Sequence, residues 1–138
     1  MSLAQALFSP KAVALIGASG DVAKNTARPQ RYLKKHGYAG KVFPVNPVRK
    51  EVLGEKAFAR VSDVPEKVEH AYILIEDVEQ ALEDCGTAGV TVASIFSGGF
   101  ADAGAEGMKR QARLVERARA LGVRVLEEKE FLEMLQNL

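Results

Sequence analysis

Two short glycine-rich segments and a pair of cations carry the chemistry this sequence offers. Gly17-Ala18-Ser19-Gly20-Asp21 follows the apolar run Ala12 to Ile16, and Ser97-Gly98-Gly99-Phe100 follows the run Val90 to Phe96. Glycine lets backbone N–H groups approach an anion closely, and a helix beginning after such a turn adds positive potential. One turn of this kind is ordinary between a strand and a helix. Two of them on neighbouring strands point to a ligand that contains a diphosphate. The spacing Gly17-x-x-Gly20-x-x-Ala23 only approximates the dinucleotide fingerprint G-x-G-x-x-G/A. Where an NAD site wants an acidic residue for the ribose hydroxyls, the second apolar run ends in Asn46-Pro47, followed by Arg49 and Lys50. Cations there suit an additional phosphate on the ribose, as in NADP or coenzyme A. They are equally compatible with solvated surface charge.

The remaining reactive residue types read as structural. Cys85 falls on the apolar side of its expected helix, so packing outranks nucleophilic chemistry. His36 and His70 are expected at the surface, and Tyr32 and Tyr38 as packing residues beside the first long helix. No Cys/His spacing suggests a metal site. No pair of carboxylates stands out, and Glu127, Glu128 and Glu130 read as the solvated first turn of a final helix. The chain is therefore expected to bind a ligand without catalytic residues of its own.

Holding those turns requires a scaffold of strands and helices. Ala12–Ile16, Val42–Val45, Ala71–Ile75 and Val90–Phe96, with a shorter Val123–Leu126, are Val- and Ile-rich and too short for helices. Such continuous runs read as strands covered on both faces. Between them, Arg31–His36 is expected to be helical up to Gly37, and Val78–Thr87 to be capped by Asp77. A long helix over Ala105–Leu121 should stop at Gly122 and bury Met108, Ala112, Val115 and Ala118. A last amphipathic piece, Glu130–Leu138, places Phe131, Leu135 and Leu138 on one side. Arg49–Val68 is the least regular stretch and is expected to hold a turn or short helix. The alternation predicts an α/β, Rossmann-like doubly wound sheet of five parallel strands with helices on both faces. If the strand order is 3-2-1-4-5, the loops after strands one and four meet at the switch point, where ligands of open α/β sheets collect.

Composition bounds the rest. The 138 residues suit a single domain spanning 1–138, large enough to bury a core without disulfides. The 19 Lys and Arg nearly cancel 18 Asp and Glu, which excludes the charge of a nucleic-acid or anionic-membrane binder. No run approaches a membrane span, and no secretory leader is expected. One cysteine fits a reducing, cytoplasmic location.

Three segments resemble a known family. Phe8-Ser9-Pro10-Lys11-Ala12-Val13-Ala14-Leu15-Ile16-Gly17-Ala18-Ser19 is similar to the opening of the CoA-binding domain of NDP-forming acyl-CoA synthetases. So is the central piece, Arg28-Pro29-Gln30-Arg31-Tyr32-Leu33 followed by His36-Gly37-Tyr38-Ala39-Gly40-Lys41-Val42-Phe43-Pro44-Val45-Asn46-Pro47. The third is Ser97-Gly98-Gly99-Phe100-Ala101-Asp102, with Gly104 and Gly107 behind it. The succinyl-CoA synthetase alpha subunit and small stand-alone CoA-binding proteins share this fold. The resemblance implies coenzyme A or acyl-CoA along the carboxyl edge of the sheet, NADP being the weaker fit. By the same resemblance, Gly17, Ala18, Ser19 and Gly20 hold phosphates, and Val45, Asn46 and Pro47 border the adenosine. Arg49 or Lys50 then reaches a phosphate, Ile75 and Glu76 lie along the ligand, and Ser97, Gly98 and Gly99 line the path of the pantetheine arm.

The chain departs from the family after Leu126, where Glu127-Glu128-Lys129-Glu130 replaces the usual Gly-Pro-Asn. Asp21-Val22-Ala23-Lys24-Asn25 likewise stands where the family often has a Gly-rich turn. In the ligases a phosphorylated histidine on a later domain relays the phosphoryl group, and this chain is expected to lack it. Three readings stay open. The first is a CoA-binding module, alone or with a ligase or ATP-grasp partner chain. The second is an NAD(P)-binding Rossmann domain in redox chemistry or sensing, and the third an interaction scaffold with a vestigial site. Self-association is open in each.

Overall fold

A computed structural model describes residues 2–21, 23–96, 98–125 and 128–136. In chain order the elements are α1 (Leu3–Phe8), β1 (Ala12–Ile16), α2 (Arg28–Lys35), β2 (Lys41–Val45), β3 (Glu51–Val52) and β4 (Glu55–Lys56). They continue with β5 (His70–Ile73), α3 (Val78–Ala88), β6 (Val92–Ile95), α4 (Gly104–Leu121) and α5 (Glu128–Gln136). The fold is the expected α/β arrangement with a parallel sheet. Cover on both faces explains the continuous apolar strands: all five residues of β1 are buried. On one face Leu15 packs with Val42, Tyr72 and Leu33 of α2. On the other, Ala14, Ile73 and Ala93 pack with Leu82 and Cys85 of α3 and Leu114 and Ala118 of α4.

The sheet differs from expectation in number and order. Four strands are hydrogen-bonded in the order β2-β1-β5-β6, all parallel. Single-residue parallel bridges extend both edges, Phe58 beside Val45 and Arg124 beside Val92. The expected fifth strand is thus one bridge at Arg124, and Leu126 lies outside the described residues. The expected third strand does not lie beyond β2. It is β5 and pairs directly with β1, Val13 opposite His70 through Ile16 opposite Ile73. The outer place beside β2 is taken by Phe58, which a sequence pattern of alternating runs does not reveal.

Local chemistry explains the element ends. Asp77 caps α3 by accepting from the Gln80 N–H at 3.3 Å. Gly89 and Gly122 end α3 and α4 in the left-handed conformation that lacks a Cβ penalty. Between β2 and β5, the irregular stretch forms a β3–β4 hairpin whose turn residues Leu53 and Gly54 both have positive φ.

Helix α4 buries Ala118 as expected, but its first half is turned about one residue from the expected stripe. Its buried positions are Gly107, Leu114 and Ala118, whereas Met108 is 61% exposed. Gly107 sets this phase. A Cβ there would overlap the Phe100 carbonyl oxygen and lie 2.9 Å from the Ala103 Cβ. Helix propensity favours alanine over glycine by about 1 kcal/mol, but a backbone carbonyl cannot swing aside. Gly107→Ala is expected to destabilise the protein by about 1–2 kcal/mol. Urea denaturation measures this, and an unchanged or raised midpoint contradicts it.

Of the last helix, Leu132 and Leu135 are 48% and 41% exposed, and Leu138 lies outside the described residues. Among the described residues, no helix is long and apolar enough to cross a membrane.

Candidate functional site

The carboxyl ends of β1, β2 and β5 come together around the first glycine turn. Gly17 leaves β1 with φ +94° and donates its N–H to the Val45 carbonyl at 3.0 Å. A Cβ on Gly17 would run into the Ile75 side chain, with the Ile75 nitrogen at 3.3 Å. The loop after β5 therefore lies directly against this turn, and the switch point falls between β1 and β5. Ala18 is buried and donates to the Leu15 carbonyl at 3.3 Å. The Ser19 hydroxyl accepts the Asp21 N–H at 3.0 Å, and the Asp21 carboxylate accepts the Ala23 N–H at 3.0 Å. Two backbone donors of the turn, those of Ser19 and Gly20, are left without a hydrogen-bond partner among the described residues. Backbone N–H groups in such a turn have the chemistry to donate to an anion.

Asn46 fastens this turn to the next loop. Its Nδ2 donates to the Ala18 carbonyl at 3.1 Å, and its Oδ1 accepts from the N–H groups of Val48 and Arg49 at 2.9 and 3.0 Å. Its own N–H donates to the Phe58 carbonyl at 2.8 Å. Arg49, started in this direction by Asn46, lays its guanidinium over the turn. A Cβ on Gly20 would lie 2.5 Å from the Arg49 Nη1. A cation and two amides unpaired among the described residues thus share one small region at the head of the sheet. Such a grouping has the chemistry to hold an anion. Lys50 is exposed, and its carbonyl instead accepts the Ala57 N–H at 2.9 Å beside the hairpin.

The second glycine turn does not adjoin the first, which corrects the expected juxtaposition. β5 separates β6 from β1, so the two turns are about 10 Å apart at the usual strand spacing. Here the glycines have structural reasons of their own. Gly99 has φ +94°, and its N–H is taken by the Asp102 carboxylate at 3.2 Å, as Phe100's is at 3.0 Å. Those two donors hold the Asp102 carboxyl below its ordinary range. Gly98 is exposed, and Ser97 lies outside the described residues.

Two residues on this edge escaped sequence reasoning. Arg110 of α4 is hydrogen-bonded to Glu79 and reaches the carbonyls of Glu76 and Gly99. In the sequence it is one of several Lys and Arg residues along that helix, with nothing to set it apart. Phe96, at the end of β6, is 63% exposed and leans on Tyr72 with ring centroids 5.7 Å apart. Its position at the end of an apolar run was the available signal.

Groups read as non-catalytic divide. Cys85 is fully buried and its thiol is pushed up to about 12 by desolvation, which suits packing. His36 is exposed at the end of α2. His70, expected at the surface, is instead 5% exposed as the first residue of β5 and shares a hydrogen bond of 2.7 Å with the Ser94 hydroxyl. Burial brings its pKa down to about 4, with the Leu7 carbonyl opposing the shift, so the ring is neutral at pH 7. Tyr38 packs as expected and donates to the Pro10 carbonyl at 2.6 Å, but Tyr32 is 49% exposed. Among the described residues no group of three or more His, Cys, Asp or Glu is placed to hold a metal ion.

A family model described as a CoA binding domain matches residues 11–131. The chain belongs to this CoA-binding family. Among the relatives of this CoA-binding domain is the alpha subunit of acetate–CoA ligase [ADP-forming] I of Pyrococcus furiosus, 42% identical over 132 residues. That match covers 91% of this chain and 28% of the relative. Acetate–CoA ligase [ADP-forming] II of Archaeoglobus fulgidus is 36% identical over 121 residues, covering 86% of this chain and 18% of the relative. The CoA-binding domain therefore spans less than a third of either ligase.

Among solved structures, it superposes on the dinucleotide forming acetyl-coenzyme A synthetase 1 of Ca. Korarchaeum cryptofilum, in complex with phosphate and ADP, with a TM-score of 0.84. Identity is 40%, with 89% of this chain and 26% of that chain covered. A hypothetical protein from Pyrococcus horikoshii OT3 matches with a TM-score of 0.65 and 25% identity, covering 86% of this chain and 77% of that one.

Proposed function

We propose that this domain binds coenzyme A, free or acylated, along the carboxyl edge of its sheet. The phosphates sit on the Ser19 and Gly20 N–H groups beneath Arg49, with Gly17 and Ala18 forming the floor. Val45, Asn46 and Pro47 border the adenosine, and Lys50 supplies positive potential to the phosphorylated ribose. The pantetheine arm crosses the loop after β5 at Ile75 and Glu76 and runs toward Ser97, Gly98 and Gly99. The observation that carries this reading is the convergence of two open amides and one guanidinium over the first turn. A diphosphate has the charge and the acceptors to satisfy all three.

By the same reading the domain acts as the CoA-binding portion of an ADP-forming acyl-CoA ligase, working in the cytosol with ligase or ATP-grasp parts. The assembly would convert acyl-CoA, ADP and phosphate to carboxylic acid, CoA and ATP. Within it this domain contributes binding and orientation, with the phosphoryl relay residing elsewhere.

Thermal unfolding during titration with CoA, dephospho-CoA, NADH and NADPH tests the ligand. CoA at 100 times its dissociation constant is expected to add about 2.7 kcal/mol of stability. Dephospho-CoA, lacking the ribose phosphate, should need a higher concentration for the same shift. Stabilisation by a nicotinamide dinucleotide and not by CoA overturns the reading.

A further inference from the structure

Arg110 ties together the two loops that the proposed pantetheine path crosses. Its Nε and Nη2 donate to the two carboxylate oxygens of Glu79 at 2.7 Å each, a paired geometry that fixes the guanidinium plane. From that fixed position Nη2 reaches the Glu76 carbonyl at 3.4 Å and Nη1 the Gly99 carbonyl at 3.5 Å. The guanidinium also lies over the Phe100 ring, 4.3 Å from its centroid. Gly99 accommodates it, because a Cβ there would lie 2.9 Å from Nη1. One side chain of α4 is thus joined to α3, to the loop after β5 and to the loop after β6.

The charge itself is neutralised by Glu79, whose carboxyl the Arg110 hydrogen bonds hold below its ordinary range. Arg110 is therefore poorly suited to take a ligand phosphate. An exposed ion pair also contributes little stability. What the arrangement does supply is a fixed separation between the Glu76 and Gly99 backbones.

We propose that Arg110, oriented by Glu79, is a positioning residue for the pantetheine half of the ligand. It orders the two loop walls before binding, so that the flexible arm enters a groove that is already formed. This rests on the CoA reading above. Lysine does not replace it, because an ammonium lacks the planar fork that engages both Glu79 oxygens and the two carbonyls.

Isothermal titration of wild type, Arg110→Met, Arg110→Lys and Glu79→Gln with two ligands tests the role. One ligand is CoA; the other is adenosine 3′,5′-bisphosphate, which has no arm. Both arginine variants should lose about tenfold in CoA affinity, and Glu79→Gln about threefold. Affinity for the bisphosphate should stay within twofold in all three. A merely structural role would weaken both ligands together. Equal losses for the two ligands, full CoA affinity in Arg110→Met, or full rescue by lysine each overturn the proposal alone. A wild-type protein that binds neither compound overturns the underlying site as well.

Discussion

Gly17→Val is expected to remove about 3–5 kcal/mol of stability and to abolish measurable CoA binding. Two effects combine. The position has φ +94°, where an L side chain is strained by roughly 1–2 kcal/mol and a β-branched one by more. Its Cβ would also press on Ile75, whose side chain cannot retreat simply, because the Ile75 nitrogen and Leu74 carbonyl carbon stand at 3.3 and 3.4 Å. Forcing extra volume into such a place typically costs about 1–3 kcal/mol. On the proposed reading binding suffers with the fold, since Gly17 leads directly into the Ser19 and Gly20 donors that would hold the phosphates.

A comparison between alanines separates the two effects. Gly37 also has positive φ, +72°, but a Cβ there meets nothing within 4 Å. Gly37→Ala therefore reports conformational strain alone, and its CoA affinity should be unchanged. Gly17→Ala should lose at least 1 kcal/mol more in urea denaturation and bind CoA weakly. Equal losses at the two positions would show that the close approach of the β5 loop carries no energy.

The same two loops show where sequence reading succeeds and where it stops. β1 is readable to the residue, because five apolar residues between Lys11 and Gly17 leave no other choice. The Asp77 cap and the Gly122 stop were likewise written in residue types with local causes. Strand order was not. Phe58 fills the outer place with a single bridge, too short to leave a pattern, and without it β5 is easily assigned to the wrong side. The phase of α4 was missed for a related reason. Gly107 enters the interior by lacking a side chain, so a count of apolar residues passes over it and selects Met108. His70 reads as polar until its partner, Ser94 on the neighbouring strand, is seen. Arg110 is legible only once α3 and α4 are side by side. Residues whose role follows from their own type and a local neighbour were visible; those whose partner is distant in sequence, or that act by lacking a side chain, were not.

Asn46 matters for a reason that the sequence alone does not show. In sequence it matters because it stands where an NAD site has an acidic residue for the ribose hydroxyls. In the structure it is a bracket: one amide group donates to Ala18 and accepts from Val48 and Arg49. Asn46→Asp keeps the acceptor but loses the donor, and it turns a carboxylate toward the Ala18 carbonyl. An unsatisfied polar contact of this kind typically costs about 1–3 kcal/mol. The Ser19–Gly20 amides then lose their alignment with Arg49, and a negative charge is added at the seat of the diphosphate. CoA affinity is expected to fall about 100-fold, equivalent to about 2.7 kcal/mol.

Asn46→Ala removes the bracket without adding charge, so titration of both variants in low and high salt divides the two contributions. The electrostatic share should shrink as salt screens it, while the loss from the missing bracket should persist in both variants. Full CoA affinity in Asn46→Asp at low salt would place the phosphates away from this turn. A loss confined to Asn46→Asp and erased by salt would leave the charge as the sole effect and deprive the bracket of any part in binding.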